Sequence, residues 1–195
     1  LPALASADDV DAASRARAEV LFKEGSDLLE SGNLAEACPK LEAAVELTHG
    51  EALGGKLVLA RCYERSGKKA SAWGLYQDVA TRAERLGQRD RQGEAEQKSQ
   101  ALAPELHLLE LTISDAVAAT LSLRVSLAGR PIPRGAWNSR IPVDPGELEV
   151  LVSADGRTPQ SQTVTIPTGA GSSRVVFDRP LQATPSVTRG DPVLP

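Results

Sequence analysis

The sequence predicts two domains in series, an α-helical hairpin-repeat domain followed by a small antiparallel β-sandwich. Three observations predict this. Over residues 12–103 apolar side chains recur at three- and four-residue spacing in a background rich in Ala, Leu, Glu, Arg and Lys. Beyond Pro104 apolar and polar residues alternate one by one in short runs separated by Gly and Pro. A length of 195 residues suffices for two small domains.

Taken in order, the first helix carries Val20, Leu21, Gly25, Leu28 and Leu29 on one stripe and is broken by Ser31-Gly32-Asn33. A second helix begins near Leu34, turns Ala37, Leu41, Ala44, Val45 and Leu47 inward, and stops at Thr48-His49-Gly50. The pattern then returns. Leu28, Gly32, Ala37 and Leu41 recur 35 residues later as Tyr63, Gly67, Ala72 and Tyr76, with Gly25 matched by Ala60. Small residues at Gly25/Ala60 and Ala37/Ala72 let antiparallel helices approach closely, while the larger members fill the space around each crossing. A polar helix over residues 89–102 follows Leu86-Gly87 and suits the cap that a repeat array needs at its open end.

In the second half, residues 107–114 read as a first strand and residues 121–127 as a second. Leu121, Leu123, Val125 and Leu127 would share one face of that second strand. Gly129-Arg130-Pro131 turns the chain, and short strands follow over residues 137–143, 147–153, 162–166 and 174–181. Several short strands with Gly/Pro turns argue a small antiparallel sandwich or barrel. The domain boundaries are therefore 8–104 and 105–181, with a Pro-rich tail over 182–195.

Composition excludes several classes of function. The net charge of −4 and pI near 5.3 give no basic field for nucleic acid, and the longest cationic run is Lys68-Lys69. No apolar stretch approaches the roughly 20 residues that cross a bilayer. Residues 1–7, ending Ala5-Ser6-Ala7 before Asp8-Asp9, read as the remnant of a secretory signal with cleavage after Ala7. Export, to the periplasm or cell envelope, is the expected compartment.

The chain has two cysteines, Cys38 and Cys62, each twelve positions from Gly50 on helices expected to be antiparallel neighbours. They stand at similar height, so a disulfide and a pair of buried thiols are both open readings. His49 and His107 have no ligand-spaced partners for a zinc site. No nucleophile–base pattern occurs, and Gly169-Ala170-Gly171 lies between strands without a lysine, as a hairpin turn rather than a phosphate loop. The residues thus point to no enzyme, no metal and no cofactor.

The helical half resembles the tetratricopeptide repeat, whose period is about 34 residues. It departs at the position where that family favours Trp, which is Leu21 and Lys56 here, and it lacks the family's terminal Pro. The resemblance implies a partner-binding groove formed by Glu19, Phe22, Ser26 and Leu29 in one repeat and Leu57, Arg61, Glu64 and Arg65 in the next. Arg89, Gln92 and Glu96 would extend that wall. Phe22, Leu29 and Leu57 would receive an apolar peptide face, and Arg61 and Arg65 would hold carboxylates.

The β half resembles the PEGA-type surface domain in its layout: a strand ending at Gly129, the Val143-Asp144-Pro145-Gly146 turn, a V-x-V strand and a second turn at Asp155-Gly156. The combination resembles exported proteins of myxobacteria-like soil bacteria, which implies a periplasmic or envelope role without known catalysis. The expected function is a protein or peptide interaction scaffold, with the sandwich as spacer or anchor. The alternative is cell-wall polysaccharide binding through the sandwich, with Trp137 as a stacking platform; against it, so few aromatics argue that Trp137 and Phe177 plug core or rim.

Overall fold

The computed structural model describes residues 7–184, so the signal-like stretch before Ala7 and the tail beyond Thr184 fall outside the described residues. Helices come first: α1 (Ala7–Glu30), α2 (Leu34–Leu47), α3 (Leu53–Arg65), α4 (Lys69–Arg85) and α5 (Arg89–Leu102). The strands follow: β1 (His107–Ile113), β2 (Arg124–Leu127), β3 (Arg130–Ile132), β4 (Arg140–Val143), β5 (Gly146–Ser153), β6 (Gln160–Ile166) and β7 (Gly171–Phe177). A short helix, α6 (Asp115–Ala118), lies between β1 and β2. The chain divides into two compact units. The first holds the helices up to His107 together with Pro142–Pro145 and Pro167–Gly171, and the second holds the remaining strands.

In the first unit the turn chemistry is repeated along with the sequence. Gly32 and Gly67 adopt φ of +84° and +82°, and the residues after them close the helix end with the bonds Asn33 N–H to Leu28 O and Lys68 N–H to Tyr63 O, both 2.9 Å. Ser31 and Ser66 donate to the same two carbonyls. These reversals pair α1 with α2 and α3 with α4. Ala37, Leu41, Ala60, Cys62, Ala72, Tyr76, Val79 and Ala83 are wholly buried between the helices. Cys38 and Cys62 are joined, with their Cα atoms 5.6 Å apart, and so tie α2 to α3. Lys56 is 9% exposed and pairs with Asp78. The N-terminus of α4 has no cap from Lys68; Asp144 supplies one, accepting from the Ala70 and Ser71 amides at 2.8 and 3.1 Å.

The close approach of α1 and α2 depends on Gly25. A Cβ there would stand 2.8 Å from Leu41 Cγ and 3.2 Å from the Ala37 carbonyl oxygen. Gly25→Ala is expected to destabilise by about 1–3 kcal/mol through overpacking, although Ala gains about 1 kcal/mol in helix propensity. Gly74, inside α4 with nothing within 4 Å, is the internal control. Gly74→Ala is expected to stabilise by about 0.5–1 kcal/mol. Urea unfolding of the two variants checks the opposite signs.

The second unit contains two sheets, ordered β4-β1-β7 and β3-β2-β5-β6. The alternation expected from sequence is present where strands are long: Leu109, Leu111 and Ile113 of β1 and Val150 and Val152 of β5 are buried while their neighbours are more exposed. Val125 pairs with both Ile132 and Val152, which fixes the register of β2. On β1, Glu110 accepts from Arg140 of β4 at 3.0 Å and Arg174 of β7 at 2.8 Å, and the Arg174 hydrogen bond holds its carboxyl below the usual range.

Four sequence expectations are corrected. The second strand begins at Arg124 rather than residue 121, because Ser122 turns the chain at φ +55° and leaves Leu121 88% exposed. The turn near Gly129 is tighter than expected, with Ala128 and Gly129 both at positive φ, so Arg130 and Pro131 already belong to β3. Trp137 precedes β4 rather than opening it, since it closes a 3₁₀ turn over Arg134–Ala136 and is followed by Asn138 at positive φ. The last strand lies earlier than residues 174–181, ending at Phe177 before Pro180.

Candidate functional site

The helices of the first unit differ in length, and this difference makes a concavity. At 1.5 Å per residue, the 24 residues of α1 span roughly 36 Å and the 14 of α2 roughly 21 Å. The two helices run antiparallel from the turn at Gly32, so the N-terminal turns of α1 project past the end of α2. Beneath them the α2–α3 connection and the start of α3 enclose a pocket of about 720 Å3, within the size range of ligand sites.

Its floor is apolar: Ala18 and Phe22 from α1, Ala44 and Val45 from α2, and Leu53 from α3. Gly54 and Gly55 keep the first turn of α3 free of side chains there. The rim is polar and mixed in sign, with Glu19, His49, Glu51 and Arg91, plus Leu86, which is 64% exposed in the α4–α5 turn. Arg91 is held by a 2.6 Å bond to Gln88 Oε1. An apolar floor with a charged rim is the usual make-up of a ligand pocket. Among the described residues no three His, Cys, Asp or Glu side chains converge as a metal site would.

Of the groove inferred from the sequence, Glu19 and Phe22 do line this pocket. The others do not. Leu29 and Leu57 are 8% and 4% exposed, belong to the helical core and do not line the pocket. The Ser26 hydroxyl is buried without a hydrogen-bond partner in α1. Arg61 is paired with Glu94 of α5 at 2.5 Å, and that hydrogen bond raises its pKa further. Arg65 donates to the Leu29 carbonyl at 2.5 Å, clamping α3 to α1. Glu64 accepts from the Tyr76 hydroxyl at 3.0 Å and from Lys98 at 3.3 Å. Arg89 is exposed, and Gln92 bonds Glu96 one turn along α5. The charges of α3 are thus spent on holding helices together.

His49, Leu53, Leu86 and Arg91 are pocket residues that sequence reasoning missed. Three of them lie in or beside turns, and the signal that points to them is the unequal length of the helical segments. In the second unit the Trp137 indole N–H donates to the Ile132 carbonyl at 3.2 Å, and Arg134 covers one ring face at 5.2 Å. Comparison with family models, curated proteins and solved structures finds no match to this chain. No helix among the described residues is long and apolar enough to cross a membrane.

Proposed function

We propose that this chain is an exported, non-enzymatic interaction protein. In this reading a pair of tetratricopeptide-like repeats with a capping helix binds an apolar peptide or protein segment, and a PEGA-type sandwich serves as spacer or anchor at the envelope. The observation that carries the binding function is the pocket under the α1 overhang, with Phe22, Val45 and Leu53 as its floor. The 35-residue recurrence of the glycine turns supports the repeat reading. The Cys38–Cys62 bridge supports an oxidising compartment, since such bonds persist outside the cytosol. The second reading, a polysaccharide held at Trp137, has one ring face left to work with, because Arg134 takes the other.

Leu86 on the pocket rim provides the test, since its exposure lets it be changed without touching the core. Envelope proteins captured by the chain are identified by mass spectrometry, and the direct binding of each is then measured by calorimetry. Leu86→Asp is expected to weaken the specific partner at least tenfold, while Leu121→Asp in the other unit leaves it unchanged. Equal binding by both variants would remove the pocket from the function, and retention only on insoluble cell-wall glycan would favour the second reading.

A further inference from the structure

A second concavity, of about 580 Å3, lies within the β unit between β6 and the end of β7. Each strand is an edge. β6 closes the four-stranded sheet and β7 the three-stranded one, so each has a side without a neighbouring strand. Beyond one end of the slot the main chains meet: Arg157 bridges Ala183, and Thr158 N–H donates to Gln182 O at 2.9 Å. Further along they part, and glutamine side chains take over. Gln160 Nε2 donates to the Arg179 and Pro180 carbonyls at 3.2 and 3.4 Å, and Gln162 Nε2 donates to Val176 O at 2.7 Å.

The direction of these carbonyls identifies what they lack. Phe177 O accepts from Ser114 beside β1, and successive carbonyls of a strand point to opposite sides, so Val176 O faces the open edge where Gln162 meets it. Across this gap β6 and β7 are not paired as strands, and a side-chain amide makes the connection that a ladder hydrogen bond would otherwise make. The primary amide of Gln carries the same donor and acceptor as a peptide group, and stands where a strand's N–H would stand.

We propose that the slot between β6 and β7 accepts an extended polypeptide segment as an inserted strand, its backbone replacing the Gln160 and Gln162 amides. The Arg157–Ala183 bridge closes one end, so a thread-like segment fits where the edge of a second folded copy would not. A glycan would need an aromatic platform, and the slot's aromatic residue, Phe177, is 1% exposed. Val176 offers one apolar contact at 38% exposure, and Asp178 and Arg179 cancel in charge. The segment that fits is therefore uncharged and free of Pro.

The probe is an N-acetylated, C-amidated peptide with the sequence Gln-Ser-Gln-Thr-Val-Thr-Ile, which has this character and repeats β6 itself. It is titrated into the full chain, with amide hydrogen exchange read by NMR. Binding is expected to slow exchange at Arg174 and Val176, the edge-facing amides of β7, at least tenfold and to leave Leu111 unchanged. Gln162→Val, which removes the competing amide from an exposed position, is expected to bind about fivefold tighter, the equivalent of one net hydrogen bond. The same peptide with Pro at its central Thr is expected not to bind. Absence of protection at Arg174 and Val176 with millimolar peptide would overturn the proposal, as would equal protection by the Pro peptide or protection of these amides by a soluble chitin oligosaccharide instead.

Discussion

Reduction of the Cys38–Cys62 bridge is expected to destabilise the helical unit by about 3.5 kcal/mol, the loop-closure value for a crosslink of this span. The two residues are separated by 24 positions and are 6% and 0% exposed. For a domain of this size the loss lowers the melting temperature by roughly 15–25 °C. Circular dichroism melts with and without a phosphine reductant measure it, and the Cys38→Ala/Cys62→Ala double variant separates the crosslink from redox effects. The transition of the β unit should not move. The bridge connects α2 of the first helix pair to α3 of the second, and the pocket draws its walls from both pairs. Reduction is therefore expected to weaken partner binding before the unit unfolds. Identical melts of the oxidised and reduced chains would show that packing across α2 and α3 holds the pairs together without the crosslink.

Helix limits were legible in the sequence wherever a glycine had to adopt positive φ. Gly32, Gly67 and Gly87 each end a helix within two residues of where the pattern breaks. The long strands were legible for a similar reason, because burying one face of β1 or β5 imposes a period of two on the side chains. The short ones were not. Leu121 continues the apolar alternation of Leu123 and Val125 but lies in a turn, since a four-residue strand supplies too few alternations to mark its own start. The pocket was legible only in part. Leu29 and Leu57 have the spacing of a groove wall, but α3 buries Leu53, Leu57, Leu59, Ala60, Cys62 and Tyr63 on more than one side, and its run Leu57-Val58-Leu59-Ala60 carries no helical period. Only the first turn of α3, Leu53 to Gly55, reaches the pocket. The α1 side of the pocket runs from Arg15 to Phe22, and the apolar stripe read from the sequence starts only at Val20.

The Tyr76→Ala variant is expected to lose about 3–5 kcal/mol, the largest effect of any single substitution considered. Tyr76 is the largest fully buried side chain, on α4 at the crossing with α3, and its hydroxyl donates to Glu64. Truncation leaves a cavity and also removes one of the two donors that hold the Glu64 carboxylate, the other being Lys98. Tyr76→Phe keeps the volume and loses the hydrogen bond alone, so its cost should fall to about 1–2 kcal/mol. The two variants also differ from wild type in alkali. Burial, and then the bond to the Glu64 carboxylate, raise the Tyr76 pKa far above its ordinary value of about 10. The folded state then retains a proton that the unfolded state releases, so this contribution is complete below about pH 10 and is lost as pH rises towards the folded pKa. Urea midpoints from pH 7 to 11 should therefore fall more steeply for wild type than for Tyr76→Phe. Tyr76 does not line the pocket, and Leu86 does. If the pocket is the working surface, Tyr76→Phe lowers stability and spares partner affinity, while Leu86→Asp does the reverse. The pair separates what holds the helices together from what they hold.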